Sequence, residues 1–380
     1  MKKIIVFVLS FSLLFCTPMS VCAGQMLVDD ENIKAKSVVL LDMDSREVLY
    51  AKNENEELSP ASVTKIMSLL LIMQALDTGK ISLDDKVVAS KDAVAMGGSQ
   101  IWLEVGEEMT VDELLKAVII ASANDACTAL GELVGGSGVG FVKMMNDEAR
   151  NLGLKHTNFE NCTGLDDDVK AHYSSAYDLA LIACEVMKYE QVTQYTTVWL
   201  DSLREGKTEL NNTNKLVNTY EGITGLKTGT TSNAGFCICA TASRNDMNLV
   251  AVVLGSTTSQ DRFDTAAYLL DMGFANFKSV SLELDNEQIK DIRVNNGTTK
   301  YIKPAYSSDE KITISNDNSE LTYNYNIPKS VNAPIQKGDV LASVEVCCGD
   351  ELVKTINLYS PQDVDRITFK QIFLRLLKKI

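Results

Sequence analysis

Ser59-Pro60-Ala61-Ser62-Val63-Thr64-Lys65, followed by the apolar run 66–76, is the stretch from which the rest of the chain is read. A polar, proline-containing turn meets an apolar segment here, and the pattern predicts a helix starting at Ser62. Lys65 lies three residues on, so the hydroxyl and the amine fall on one helical face. Ser62 in the first turn would meet free N–H groups and the positive end of the helix dipole. A serine so placed can act as a nucleophile, and a lysine so placed gives up its proton more easily than in water. An ordinary capped helix start would look the same. Ser-x-x-Lys turns up by chance roughly once or twice in a chain of this size. It does recur as Ser308-Asp309-Glu310-Lys311, where no helix is expected to hold it, and that copy is set aside.

With 380 residues the chain is long enough for two domains and a sizeable core. Its 45% hydrophobic and 23% charged residues are those of a globular protein, and a net charge of −15 argues against a nucleic-acid partner. Lys2 and Lys3 precede the apolar run 4–15, and Val21-Cys22-Ala23 stands before Gly24, so 1–23 is expected to be a signal peptide cleaved after Ala23. Bulky Phe15 and Val21 before Cys16 and Cys22 disfavour a lipoprotein. The seven remaining cysteines (Cys127, Cys162, Cys184, Cys237, Cys239, Cys347 and Cys348) have neither zinc-site nor disulfide-framework spacing. They are expected to be small buried apolar residues. His156 and His172 stand in turn-like stretches as surface or satisfied histidines, and neither a metal nor a cofactor is expected.

Along the chain, 37–41 and 47–51 predict a hairpin turning at Asp44-Ser45-Arg46. Thr110-Val111-Asp112-Glu113 predicts a capping box, and helices are expected before Ser122-Ala123-Asn124-Asp125 and over 126–134, 141–152 and 175–188. Strands are expected at 222–230, 236–243 and 249–255, with a helix at 262–277. Strands at both ends of a helical block predict one mixed sheet built from both ends of a domain covering 35–277. Short strands over 278–360 predict a small β-sandwich domain. In 361–380, Phe369, Ile372, Phe373, Leu376, Leu377 and Ile380 alternate at helical spacing with Arg366, Lys370, Arg375, Lys378 and Lys379. That is the pattern of an amphipathic helix lying on an anionic membrane surface rather than spanning it.

Three short motifs occur in order: Ser62-Val63-Thr64-Lys65, Ser122-Ala123-Asn124 and Lys227-Thr228-Gly229. Each is commonplace alone, but the ordered set is the one used by penicillin-binding proteins and class A β-lactamases. Ala123 replaces the usual aspartate, leaving the serine and the asparagine in place. With Thr163-Gly164-Leu165, Asn212-Thr213-Asn214-Lys215-Leu216 and Gly225-Leu226-Lys227-Thr228-Gly229-Thr230, the region from about 37 to 277 resembles a secreted serine-type D-alanyl-D-alanine carboxypeptidase, a low-molecular-mass penicillin-binding protein of peptidase family S11. The resemblance implies an α/β (α+β) transpeptidase-like domain with an all-helical insert, a small β-sandwich and a C-terminal amphipathic helix.

It also implies the chemistry. Ser62 would attack the carbonyl of the penultimate D-alanine of a peptidoglycan stem peptide, Lys65 would be the base, and Ser122 would relay a proton to the leaving amine. Asn124 would bond to Lys65 or to the substrate peptide. The family's oxyanion donors fall on the N–H groups of Ser62 and Thr230. Lys227, Thr228 and Arg262 would bind the substrate carboxylate, and Gly229 would leave room for the substrate backbone at the strand edge. β-Lactam antibiotics would acylate the same serine. A β-lactamase would need a glutamate in a Glu-x-x-Leu-Asn loop, and Glu209-Leu210-Asn211 lacks that spacing. A catalytically silent wall-binding relative would be expected to have lost some of these residues.

Overall fold

Ser37–Asp42 (β1) has all six residues buried, as in a strand covered on both faces. It turns into Val48–Lys52 (β2), with Asp42 Oδ1 accepting the N–H groups of Asp44 (3.0 Å) and Ser45 (2.7 Å). This is the expected hairpin. The computed structural model describes residues 28–371 and 373, apart from 168, 307–310, 317–319 and 350. The expected signal segment, the second Ser-x-x-Lys from Ser308 to Glu310, and 372 and 374–380 of the basic tail lie outside the described residues.

The chain leaves the sheet through Lys65–Asp77 (α1), whose residues 66–73 are buried and, Ser68 apart, apolar. A helix apolar on all sides belongs in the middle of a block, and α1 is packed by three others. Lys86–Val88 (β3) pairs with Glu108–Thr110 (β4) around the short helix Lys91–Val94 (α2). Val111–Ile120 (α3) starts at the expected capping box, with Glu113 N donating to Thr110 Oγ1 (3.1 Å) and Thr110 N to Glu113 Oε2 (2.8 Å). Asn124–Gly135 (α4), Gly138–Asn151 (α5), Ala176–Val186 (α6) and Thr193–Thr196 (α7) complete the block, and α4, α5 and α6 pack on α1.

Leu200–Leu203 (β5) and Thr208–Asn211 (β6) form a hairpin, and Leu216–Thr219 (α8) follows. Ile223–Thr231 (β7), Gly235–Arg244 (β8) and Met247–Ser256 (β9) then return to the sheet. The strand order is β2-β1-β9-β8-β7, so both ends of the domain contribute, as expected, and β7 forms an edge. Every neighbouring pair is antiparallel rather than mixed, because hairpins join β7 to β8 and β8 to β9 and β1 enters against β9. Ser259–Asn276 (α9) covers β8 and β9.

Phe277–Ser281 (β10) follows α9 directly and pairs with Lys311–Ser315 (β13), past Ile292–Asn295 (β11) and Tyr301–Ile302 (β12). Among the described residues, 28–284 and 311–316 form one compact unit, and 285–306 with 320–373 form the other. β13 therefore belongs with the first unit, although its sequence reads as part of the β-rich region. Contacts far away in the chain hold it there: Lys311 Nζ donates to Asp44 Oδ2 (2.6 Å), and Ser45 Oγ lies 2.8 Å from Thr313 Oγ1. The second unit holds two three-stranded sheets. In one, β11 lies between β12 and Ser330–Asn332 (β15); in the other, Val340–Cys348 (β16) lies between Leu321–Asn326 (β14) and Glu351–Tyr359 (β17).

Candidate active site

Ser62 lies in a 3-10 turn, Ala61–Thr64, and the α-helix begins only at Lys65, three residues later than the spacing predicts. Two glycines let other backbone segments press on this turn. A Cβ on Gly164 would lie 1.8 Å from Ala61 O, and one on Gly229 would lie 2.8 Å from both Pro60 O and Ser62 N. Ala61 takes φ 48°, a left-handed conformation that costs an alanine about 1–2 kcal/mol. The hydroxyl-bearing residue remains partly exposed while Ala61, Val63 and Thr64 are buried.

Lys65 is fully buried. Its Nζ donates to Ser62 Oγ (2.9 Å), Asn124 Oδ1 (2.6 Å) and Thr163 O (2.9 Å). Burial lowers its pKa to about 8, against weaker pulls upward from Cys127, Cys162 and Asp125. Asn124 Nδ2 donates one of its two N–H bonds to Gly97 O (2.7 Å), and its backbone N donates to Ser99 O (2.7 Å). Of the two partners left open for Asn124, the structure shows Lys65. Ser122, two residues earlier, is buried at the break between α3 and α4 in a left-handed conformation with φ 61°.

β7 forms the other wall. Lys227 is buried, donates to Thr228 O (3.0 Å), and is held well below the usual lysine range by burial, then by Lys65 and Arg262. Thr228 Oγ1 donates to Thr213 Oγ1 (2.7 Å), and Asn214 Nδ2 to Gly225 O (3.1 Å), so the run 212–214 props the strand. Arg262, in the first turn of α9, reaches back to β7: its Nη1 donates to Gly229 O (2.9 Å) and Thr230 Oγ1 (2.9 Å). Burial lowers its pKa to about 10, and its guanidinium rests against the Phe263 and Phe236 rings. Among the described residues, no carboxylate lies within ion-pair distance of Lys65, Lys227 or Arg262.

Residues 24–258 match the D-alanyl-D-alanine carboxypeptidase family, peptidase S11, and residues 277–366 match the penicillin-binding protein 5 C-terminal domain. The chain belongs to the D-alanyl-D-alanine carboxypeptidase family. D-alanyl-D-alanine carboxypeptidase DacF of Bacillus subtilis is 42% identical over 88% of this chain and 87% of its own length. DacC of Escherichia coli is 33% identical over 85% and 82%. Penicillin-binding protein 5 of Haemophilus influenzae superposes with a TM-score of 0.80 at 32% identity, covering 88% of this chain and 98% of its own. The ampicillin-bound form of penicillin-binding protein D2 from Listeria monocytogenes gives 0.58 at 29% identity, covering 64% and 98%.

Several parts of this carboxypeptidase site escape the motif reading. Asn161 Oδ1 accepts from Thr163 N (3.1 Å), Thr163 Oγ1 (3.2 Å) and Gly164 N (2.7 Å), and this tight loop presents Thr163 O to Lys65. Asp166 Oδ2 accepts from Ser59 Oγ (2.9 Å) and Thr231 Oγ1 (2.6 Å), joining the Ser62 turn to β7. An asparagine and an aspartate around Thr163-Gly164-Leu165 are the only signal in the sequence, and an ordinary turn would share it. His172 is of the satisfied kind: Glu160 N donates to its Nδ1 (3.0 Å), which leaves the proton on Nε2 for Thr64 Oγ1 (2.8 Å). Burial lowers its pKa to about 4. The seven described cysteines are free, and all but Cys347 are buried, as expected.

Gly229 has a different reason from the expected one. The space its missing side chain leaves is taken by Pro60 and Ser62 of the chain itself. Gly229→Ala in the carboxypeptidase is therefore expected to push β7 off the Ser62 turn. A misplacement approaching 1 Å should slow acylation by about 10- to 100-fold, measured as the rate of labelling by fluorescent penicillin. Labelling at the wild-type rate would show that the turn yields freely.

Proposed function

We propose that this chain is a serine DD-carboxypeptidase that removes the terminal D-alanine from peptidoglycan stem pentapeptides through a Ser62 acyl-enzyme. The observation that carries the reading is the set of three buried basic side chains, Lys65, Lys227 and Arg262, without an acid partner. Buried charge without a counter-ion is costly. A substrate ending in a free carboxylate supplies the missing ion, which favours an exopeptidase over an enzyme cutting within a chain.

The proton bookkeeping follows from the contacts. A neutral Lys65 has two N–H bonds and one lone pair. Asn124 Oδ1 and Thr163 O take the two N–H bonds, so the lone pair faces the Ser62 hydroxyl. In the free enzyme burial lowers both lysines, and the charge of Lys65 lowers Lys227 further. A carboxylate bound beside Lys227 and Arg262 stabilises a proton on Lys227, and a charged Lys227 in turn drives the proton off Lys65. The substrate thus makes its own base. Ser62 Oγ then attacks the penultimate carbonyl carbon as Lys65 takes the hydroxyl proton, and the N–H groups of Ser62 and Thr230 hold the oxyanion. The proton taken by Lys65 returns through Ser122 to the D-alanine nitrogen as the C–N bond breaks, and water then hydrolyses the ester, releasing the shortened peptide's carboxylate and restoring the Ser62 hydroxyl. Thr228 and edge strand β7 align the substrate backbone. β-Lactams stop at the acyl-enzyme.

Incubation with fluorescent penicillin and with a peptide ending in D-Ala-D-Ala tests the reading. A covalent label on Ser62 with release of D-alanine supports it, and neither would sink it. Rapid release of hydrolysed penicillin would point to a β-lactamase instead.

No helix among the described residues is long and apolar enough to cross a membrane. The chain is proposed to work outside the cytoplasmic membrane, held to its anionic surface by 361–380. Phe369 and Phe373, at 84% and 54% exposure, support an apolar face there. Removal of 366–380 is expected to abolish co-sedimentation with anionic vesicles, and unchanged binding would refute the anchor.

A further inference from the structure

Trp102 breaks two local rules at once. Its ring is 75% exposed, so it buries little, and its backbone takes φ 58°, which a bulky residue avoids. The neighbouring groups hold that conformation rather than relieve it. Fully buried Asp125 accepts the N–H groups of Ile101 (3.2 Å) and Leu103 (3.1 Å), on either side of the tryptophan. Arg204 Nη1 donates to Ile101 O (2.8 Å), while its Nε and Nη2 are fixed by Glu107 (2.7 and 3.0 Å). Ile101 and Leu103 point inward and are buried, leaving only the indole outside. Strain kept without a packing gain marks a binding role.

The indole borders a recess of about 580 Å³ shared with Glu104, Glu107, Arg204, Lys207 and Thr208, within the usual range for a small-molecule site. One aromatic face beside several hydrogen-bonding groups suits a pyranose ring, which offers an apolar C–H face and a rim of hydroxyl and amide groups. The recess is also tied to the chemistry. Ser99 accepts the N–H of Asn124, the residue that holds Lys65, at 2.7 Å, and Trp102 follows Ser99 by three residues, at most about 10 Å of extended chain. Three or four extended residues of a stem peptide span roughly 10–14 Å between the scissile bond and the sugar that carries it.

We infer that Trp102 and the adjoining recess form a subsite for the sugars of the glycan strand, so that the enzyme prefers stem peptides still attached to the polymer. This rests on the carboxypeptidase reading for its substrate, but the sugar contact can be tested apart from it. Trp102→Ala and Trp102→Gly should lower D-alanine release from insoluble peptidoglycan by about 3- to 10-fold, the worth of one stacking contact. Release from a soluble pentapeptide should stay within about twofold, and Trp102→Phe should restore much of the loss. Trp102→Gly relieves the left-handed strain and should keep or raise Tm, which a packing role for the indole would not allow. Equal losses on both substrates would show that Trp102 acts only through Asn124 and would overturn the subsite. No loss on the polymer would do the same. A peptide-free glycan tetrasaccharide should quench the fluorescence of the wild type but not of Trp102→Ala, which keeps Trp199. That result stands or fails even if no D-alanine is released from any substrate. Quenching by lipid vesicles but not by the glycan would also overturn the proposal.

Discussion

Ser62→Ala is expected to leave no covalent adduct with fluorescent penicillin and to reduce D-alanine release by about 10⁴-fold or more. Ser62 is the partly exposed member of a turn otherwise buried, and its Oγ contributes one contact, to Lys65 at 2.9 Å. Loss of that contact leaves Lys65 with Asn124 and Thr163, both of which still accept. The variant should therefore fold with nearly unchanged Tm. Intact-mass spectrometry after penicillin treatment checks the adduct, and a coupled D-alanine assay checks turnover. A variant that still acquires the antibiotic mass would move the nucleophile to another residue and undo the assignment.

Lys65→Met should fold, keep Ser62, and acylate about 10²- to 10⁴-fold more slowly, the usual worth of a positioned base. Its pH dependence separates a catalytic loss from a structural one. In the wild type, kcat/KM should rise with pH along a limb near 8, the value to which burial brings Lys65. Because Lys65 and Lys227 repel one another, that apparent value belongs to the pair. The limb should vanish in the variant. Stability gives a second readout. Folded Lys65 loses its proton near pH 8, whereas a lysine in the unfolded chain loses it near 10.5. Between those values the unfolded chain binds the extra proton, so stability rises with pH, and below pH 8 the full burial cost applies. Lys227, lowered by the same cause, pulls in the same direction. Denaturant midpoints across pH 7–10.5 should therefore climb less steeply in Lys65→Met. An unchanged slope and an unchanged kinetic limb would together remove Lys65 from the proton path.

The sequence makes the proposed reacting groups legible because their chemistry needs fixed residue types at short spacing. Ser62 with Lys65 and Ser122 with Asn124 are each set by local backbone, and the structure joins the pairs through one bond between Lys65 and Asn124. Lys227 is readable from its glycine and threonine neighbours. The shape of the turn is not, since it depends on Gly164 and Gly229, about 100 and 170 residues away. Asn161 and Asp166 do their work through hydrogen bonds that carry no spacing signature. The assignment of β13 is hidden for the same reason: its alternation predicts a strand, but its partners, Asp44 and Ser45, lie far back in the chain. Trp102 reads as one more apolar residue until its exposure and backbone angle are known.

The clasp made by Asp166 has a thermodynamic consequence. One carboxylate oxygen holds a hydroxyl from each wall of the cleft, Ser59 on one side and Thr231 on the other. The slot thus has its width before anything enters, and little of the binding free energy is spent on arranging the protein. The ordering cost then lies almost wholly with the ligand. A flexible peptide must surrender several rotations to fit, while a fused bicyclic molecule has already lost them in its synthesis. A variant with a looser clasp would have to order the cleft as well, and should bind the rigid and the flexible ligand more weakly alike.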